Sequence, residues 1–389
     1  MKRTFRVMAV VIAAGLMLPA GRAAADEMDL GDLEGIFASL RGMRVGGLAY
    51  LSYQQTDRPA SSRFTVKRAY IDVRANISSR FSVRITPDIY PDDDGTEYRL
   101  KYAYLRFEAL DFAFFTGPTV EFGFVHTPWL DFEEHLNRYR LQDPMFLERA
   151  GLISSADHGV TFGALLGGRL DESYRERINS HFPGRYGSLM FGVYNGGGYS
   201  SLEVNEDKTF QGRLTLRPLP GVVPGLQLSH LFITGRGNRT EPFTTPAAGI
   251  AVDKAPEYSL NALMLSLETH RLVLTGTAEA GAGNLAGTMF HDGPSTADYN
   301  TGEALVHQGT SLFAEVRLLP GRTLSLWGRW DSFDPDTRTG DDDFQRWIGA
   351  LAWWPDPAVL LLLDADLLVP GDPAADRSLR VQFTTSFKI

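Results

Sequence analysis

Long runs in which polar and apolar side chains alternate limit most strongly what this sequence can fold into. In residues 80–90, Arg80 and Ser82 begin a wholly polar face, and Phe81 and Val83 begin a wholly apolar one. A period of two is typical of a β-strand that faces two different environments. The same alternation recurs at 208–218, 322–333 and 377–389.

The length of these runs favours a membrane over water. They hold about 10 to 13 residues, whereas strands of soluble sheets most often hold about 5 to 6. A tilted strand that crosses a bilayer has this greater length. Alternation alone would also fit a soluble β-sandwich, so it is the length of the runs that distinguishes a membrane barrel from a sandwich.

Candidate strands number about sixteen, an even number as bacterial barrels require. They lie near 42–54, 62–76, 79–90, 97–108, 117–127, 157–170, 186–197, 208–218, 225–236, 257–268, 270–282, 308–320, 322–333, 344–355, 357–368 and 377–389. The sequence therefore predicts an all-β fold, a transmembrane antiparallel β-barrel of about 16 strands. In the fourth strand the apolar face changes side, which predicts a β-bulge near Tyr104.

The connections alternate in length, as in barrels with short periplasmic turns and longer extracellular loops. Tight turns are expected at 77–78, 269, 321 and 356, and long loops at 128–156, 237–256 and 283–307. This alternation places both chain ends in the periplasm. The 171–185 connection is long where a short turn is expected, and the pattern suggests only a local insertion.

The first residues have the layout of a secretory signal peptide over 1–25. Lys2 and Arg3 precede a short apolar run, and Ala23-Ala24-Ala25 offers a cleavage site before Asp26. The alternative, an N-terminal anchor, would need a longer apolar run. Residues 26–41 are expected to be a periplasmic segment, either a short helix or disordered, before a barrel domain over 42–389.

Charge and aromatic placement narrow the partners. Cleavage after Ala25 removes four of 38 basic residues and no acidic ones, so the mature charge is 34 − 47 = −13. This argues against nucleic acid as a partner. Trp330, Trp347, Trp353 and Trp354 fall near strand ends, which favours interfacial aromatic girdles over ordinary core aromatics. Outer-membrane lipid and lipopolysaccharide are the expected surroundings.

Basic residues outnumber acidic ones on the polar strand faces, which predicts an anion-attracting lumen. The candidate channel-lining, anion-binding residues are Arg68, Arg84, Arg99, Lys101, Arg213, Arg329 and Arg380. Arg84, Arg329 and Arg380 are expected near mid-depth. In the alternative interpretation these charges form cross-strand salt bridges in a general diffusion pore. A cation or sugar pore is a further alternative.

The 128–156 connection is the third extracellular loop and the longest, and it is expected to fold inward as a constriction loop. Its charged residues are Asp131, Glu133, Glu134, Arg138, Arg140 and Arg149. Acidic and basic stretches on one loop can set a transverse field across a pore. Alternatively the loop is a solvated surface loop, or Arg149 only anchors it.

Five ordered motifs between about Arg63 and Arg217 resemble the phosphate-selective porin O/P family. They are EFGFVHTPW at 121–129, DPMFLER at 143–149, DHGV at 157–160, FGVYNGG at 191–197 and GRL at 212–214. The resemblance implies a homotrimeric 16-stranded porin with a narrow, basic channel for small anions such as phosphate. It assigns no individual anion-site residue here. The chain ends in Phe387-Lys388-Ile389, whereas many barrels of this kind end on an aromatic residue.

Other chemistry has little support in the sequence. The eight histidines are scattered without ligand spacing, so no metal, no cofactor and no enzymatic activity are expected. Residues 334–340 (DPDTRTG) hint at a calcium loop, but the glycine comes one place late. Two function classes therefore remain: a passive channel in the outer membrane, and a barrel that binds or anchors without conducting.

Overall fold

The computed structural model describes residues 42–92, 95–340 and 342–389, which form a closed antiparallel β-barrel of sixteen strands. The predicted signal peptide and the 26–41 segment lie outside the described residues. The strands are β1 Met43–Asp57, β2 Ala60–Asn76, β3 Phe81–Asp92, β4 Gly95–Glu108, β5 Phe115–His126, β6 Ala156–Leu166, β7 Gly187–Tyr194, β8 Thr209–Leu216, β9 Leu226–Arg236, β10 Phe243–Thr244, β11 Ala251–Val252, β12 Glu257–Glu268, β13 Leu272–Ala282, β14 Val306–Arg317, β15 Leu324–Asp334, β16 Phe344–Asp356, β17 Val359–Pro370 and β18 Ser378–Lys388.

Each barrel strand pairs with its neighbour in the chain, and β18 pairs with β1 to close the wall. The short strands β10 and β11 stand apart as a two-stranded ribbon between β9 and β12. This confirms the predicted fold class and strand number. Because every barrel strand has two partners, the wall has no free edge to expose unpaired backbone groups.

Side chains alternate across the wall as the sequence predicts. On β12, Leu263 and Leu265 are exposed outward, whereas Ala262 and Met264 are fully buried inside. Trp330 and Trp347 lie together on the outer surface with ring centroids 6.0 Å apart. An apolar outer band with aromatic side chains is what a lipid-facing barrel surface requires.

The bulge in β4 falls at Lys101, three residues before the predicted position. Leu100 pairs with Pro87 and Tyr102 pairs with Thr86, so Lys101 has no partner opposite it. A bulge lets two successive side chains face the same way. Lys101 and Tyr102 are accordingly both buried on the inner side.

Part of the barrel interior is occupied by the connection between β5 and β6, residues 127–155, which we call the third loop. It contains the helices α1 (Leu130–Glu134) and α2 (Phe146–Arg149). Its Trp129, Phe132 and Leu147 form one apolar cluster with inward residues of β9 and β12. The loop therefore folds inward, as the sequence predicts, and packs against one side of the lumen.

The unexpectedly long connection after β6 also turns inward, from the end of the barrel that carries the first and last described residues, Gly42 and Ile389 (the turn end). It contains α3 (Glu172–Arg177), and Asn179 donates hydrogen bonds to Glu268 at 2.8 Å and to the His135 carbonyl at 2.9 Å. Phe182 packs on Phe132 of the third loop with centroids 5.4 Å apart. Residues 167–186, the lower segment, thus support the third loop from below.

A short 3₁₀ helix, Pro320–Arg322, turns the chain between β14 and β15. None of the helices in the described part of the chain is long and apolar enough to cross a membrane.

The barrel predicts a specific behaviour in solution. The purified mature chain should give a strand-dominated circular dichroism spectrum, because its regular structure is almost entirely strand. An unheated sample should migrate faster on gels than a boiled one, because the closed wall resists detergent until it is heated. The measured mass should be that of a chain beginning at Asp26. A mainly helical spectrum would contradict the architecture.

Candidate functional site

An ionic network fixes the third loop to the strands β2, β17 and β18. Its Asp143 pairs with Lys67 of β2 at 3.0 Å and with Arg380 of β18. Arg380 also bonds Asp366 of β17 at 2.8 Å. Charges buried together in this way hold one another in place, since none can leave without stranding its partner.

Arg329 and Arg149 belong to the same side of the barrel. Arg329 lies 3.0 Å from Asp331 on its own strand and donates to the Pro144 carbonyl at 3.4 Å. Arg149, on the loop, lies 3.5 Å from Asp331 and donates to Gln142 at 3.0 Å. The structure therefore places Arg329 and Arg380 behind the third loop, where they anchor it.

Arg213 of β8 is also covered by the third loop. Its side chain is fully buried and donates to the Pro128 carbonyl at 2.8 Å and to Ser188 at 3.0 Å. Its guanidinium lies over the Phe132 ring, 4.1 Å from the centroid. These contacts make Arg213 a support for the start of the loop.

Near the turn end, the loop is held by a third set of contacts. Arg138 pairs with Glu268 at 3.0 Å, and Glu268 also pairs with Arg317 of β14 at 2.8 Å. Tyr139 donates to Glu315 at 2.7 Å and stacks on Trp327 at 4.8 Å. Arg138 is thus an anchor at the bottom of the loop.

Across the lumen from β9 and β12, the strands β2, β3 and β4 present a cationic surface that we call the basic wall: Arg68, Arg84, Arg99 and Lys101. Arg84 lies 2.6 Å from Asp72 and 3.0 Å from the Nε2 atom of His126. Arg68 and Arg99 share the buried Asp88, at 3.8 and 2.9 Å. The three arginines keep part of their side chains exposed, so solvent reaches this wall.

The third loop faces the basic wall with an acidic rim, defined as Asp131, Glu134 and Glu148. Arg140 bridges Glu134 at 3.2 Å and Glu148 at 2.6 Å. The Asp131 side chain is 39% exposed, the most open of the three. Four of the six charged loop residues singled out in the sequence therefore have an assigned role. Asp131 and Glu134 belong to the rim, Arg140 bridges it, and Arg138 is the lower anchor.

The pKa values of the loop carboxyls show which of them carry charge. Burial acts to raise the pKa of Asp131, but the nearby basic side chains, with His126 and His135 foremost and Arg84 among them, together hold that pKa below its ordinary value. Burial raises the pKa of Glu133 to about 7, although Trp129 donates a 2.9 Å hydrogen bond to it. Asp131 is therefore anionic at neutral pH, and Glu133 is only partly so.

The charges of the two surfaces oppose each other. The basic wall carries four cations against Asp72 and Asp88, which gives 4 − 2 = +2. The rim carries three carboxylates against Arg140, which gives 1 − 3 = −2. Such an arrangement sets a field across the lumen, and it acts strongly where side chains exclude bulk water.

Sequence reasoning missed the tyrosines of this region. Tyr199, from the 195–208 connection, accepts hydrogen bonds from Arg68 at 3.1 Å and Arg99 at 2.9 Å. Tyr102 lies under Arg84, with the guanidinium 4.2 Å from its ring centroid. The change of face in β4 could have indicated that Tyr102 points inward. No feature of the sequence around Tyr199 indicates its position. Among the described residues, no group of three His, Cys, Asp or Glu could hold a metal ion.

Comparison with known proteins finds no matching family model and no matching curated protein. Solved structures do match. An anion-selective porin from Comamonas acidovorans is 11% identical, with 89% of this chain and 99% of that chain covered and a TM-score of 0.57. The outer membrane channel DcaP of Acinetobacter baumannii is 13% identical, with 89% and 97% covered and a TM-score of 0.55. The trimer form of OmpT, a Vibrio cholerae outer membrane protein, is 7% identical, with 89% and 99% covered and a TM-score of 0.54.

At these identities the likeness shows a shared fold. The chain has the 16-stranded barrel of outer-membrane porins and channels. The resemblance of its sequence motifs to the phosphate-selective porin O/P family stays a prediction.

Proposed function

We propose that this protein is an outer-membrane porin through which small hydrophilic solutes diffuse passively. One observation carries the proposal: the third loop narrows the lumen and faces a solvent-reached basic wall with an acidic rim. A loop that only sealed the barrel would have no need of opposed, partly exposed charges. The likeness to an anion-selective porin and to the DcaP channel supports this function.

We propose weak anion preference for the channel. The wall and the rim balance at +2 and −2, so ions of both signs find a favourable surface, as in general diffusion porins. Within that balance, Lys101 is the wall cation with no described carboxylate within 4.0 Å, so its ammonium attracts anions more strongly than the paired arginines do. Phosphate is one such anion, but a phosphate-specific pore would be expected to present several unpaired cations together.

Location and assembly follow from the same proposal. The turn end would face the periplasm and the long connections the outside, with the 1–25 segment directing export. The outer band would contact lipid and lipopolysaccharide. A homotrimer is the assembly we propose, in keeping with the trimer form of the similar OmpT structure. We assign no catalytic reaction.

Planar bilayers test this function directly. Purified protein should insert in stepwise conductance increments, and in a KCl gradient the reversal potential should indicate a chloride-to-potassium permeability ratio of roughly two to five. A boiled sample is the control. The absence of steps would favour a barrel that binds or anchors without conducting, and a ratio near one would favour unselective diffusion.

A further inference from the structure

Lys101 is placed in the lumen by the β-bulge in β4. Its side chain is 5% exposed, and its Nζ atom lies over three tyrosine rings, 4.9 Å from the Tyr70 centroid, 5.4 Å from Tyr102 and 5.9 Å from Tyr199. Bulges recur where a sheet must re-aim a side chain for a function. Without the bulge, Lys101 would point to the opposite face from its present one.

Lys101 differs from the arginines beside it because no described residue neutralises it. Arg68 and Arg99 both approach Asp88, which is fully buried. No described carboxylate lies within 4.0 Å of Lys101 Nζ, and no described oxygen accepts a hydrogen bond from it. The stem of Lys101 is buried, but its Nζ atom is not one of the fully buried polar atoms without a partner, so the ammonium keeps contact with the lumen, where a solute anion can serve as its acceptor.

The hydroxyl groups around Lys101 are also arranged to donate. The Tyr199 oxygen accepts from Arg68 at 3.1 Å and from Arg99 at 2.9 Å, so its own hydrogen is free to point elsewhere. The Tyr70 oxygen accepts from Arg68 at 3.3 Å in the same way. Arg99 itself is fixed between the Tyr90 and Tyr199 rings, 3.6 and 4.5 Å from their centroids.

We propose that Lys101, with Tyr70, Tyr102 and Tyr199, forms a binding site for monovalent carboxylates that carry an apolar or aromatic body. This deepens the porin function proposed above, on which its role in transport rests. One free ammonium and two phenolic donors match the two oxygens of one carboxylate. Arg84 and His126 cover the Tyr102 ring and Arg99 covers one face of Tyr199, so the Tyr70 ring and the other face of Tyr199 would pack against the apolar body.

The same geometry disfavours a dianion. Around the site three cations face one carboxylate, which gives 3 − 1 = +2, but Arg68 and Arg99 already donate to or pair with Asp88 and the Tyr199 hydroxyl. Among the described residues, Lys101 is therefore the cation whose donors are all free to meet a ligand. Stripping water from a doubly charged phosphate costs far more than stripping it from a carboxylate, and a single ammonium cannot offset that cost. The site should therefore prefer benzoate to acetate, through ring packing, and either one to hydrogen phosphate.

The experiment measures chloride current through single channels as benzoate, acetate or phosphate is added. Benzoate should bind and reduce the current in the wild type at concentrations about tenfold below those needed for phosphate. Lys101→Met, which keeps the stem and removes the charge, should weaken benzoate block about tenfold or more, since a charge-assisted hydrogen bond is lost. Lys101→Arg should retain most of it.

Tyr199→Leu and Lys208→Met are the companion variants. Loss of the Tyr199 ring should weaken block by benzoate more than block by acetate. Lys208 is an exposed lysine of the same 195–208 connection, so its change should leave block unaltered. Unchanged benzoate block in Lys101→Met, or phosphate block as strong as benzoate block, would overturn the proposal. Heat-modifiable migration checks that each variant folds.

Calorimetric titration of the detergent-solubilised proteins with benzoate separates this site from the porin function. Binding that depends on Lys101 in a barrel that gives no conductance steps would support the site and overturn the porin. Conductance without Lys101-dependent binding would overturn the site and leave the porin standing.

Discussion

Deleting residues 132–145 should raise the single-channel conductance roughly two- to fourfold, because conductance follows the open cross-section of a pore. The deletion removes the inner part of the third loop, including the anchors Tyr139 and Asp143. Solvent would then fill the space between β12 and β18 that the loop occupies. Anion preference should change less than conductance, since the basic wall remains.

The barrel should survive this deletion. Wall charges that lose a loop partner keep a partner on the wall: Arg380 keeps Asp366 at 2.8 Å, Glu268 keeps Arg317 at 2.8 Å, and Lys67 keeps a hydrogen bond to Gln382 at 3.2 Å. A control deletion of 293–298, in a connection outside the barrel, should leave conductance unchanged. If removing 132–145 alters neither conductance nor solute size limits, the third loop does not set the aperture.

Neutralising the basic wall should reverse the ion preference. In the variant Arg68→Gln, Arg84→Gln and Lys101→Met, the wall falls from +2 to 4 − 3 − 2 = −1 and faces the acidic rim of −2. The permeability ratio should then favour potassium by roughly threefold or more. The shift should grow in dilute salt, where screening extends to about 30 Å at 0.01 M.

The choice of residues in this variant follows from the structure. Arg329 and Arg380, which the sequence placed beside Arg84 at mid-depth, are left unchanged because they anchor the third loop. The matched control neutralises three loop cations, Lys208, Lys254 and Arg377, and should keep the wild-type reversal potential. A triple wall variant that stays anion-selective would contradict the role given to the basic wall.

The barrel could be predicted from the sequence because its determinants are local. Alternation over β3 or β18 states which side chains face inward, and the lengths of runs and turns give the strand number. The inward third loop followed from its length and position. The predicted bulge lay three residues too late because the change of face in β4 becomes visible in the sequence only after the bulge itself.

The site could not be predicted as fully, because it depends on contacts between distant residues. Alternation shows that Arg380 points inward, but not that it meets Asp143, 237 positions earlier in the chain. It equally cannot show that the loop covers Arg213 and leaves Arg84 partly exposed. The lower segment has no recognisable sequence pattern, because its role depends on contacts with Glu268 and with the third loop, which are distant in the sequence.

The last strand, β18, has two partners of different kinds. Its backbone completes the wall, with Ile389 and Gly47 exchanging hydrogen bonds of 3.0 Å, while its Gln382 donates to the Gln142 carbonyl of the third loop at 2.8 Å. Without β18 the wall would have an open seam between β17 and β1, and the third loop would lose Gln382 and Arg380 as partners. The strand that closes the barrel is therefore also one of those that fix the width of its opening, so a change in β18 can alter conductance as well as stability.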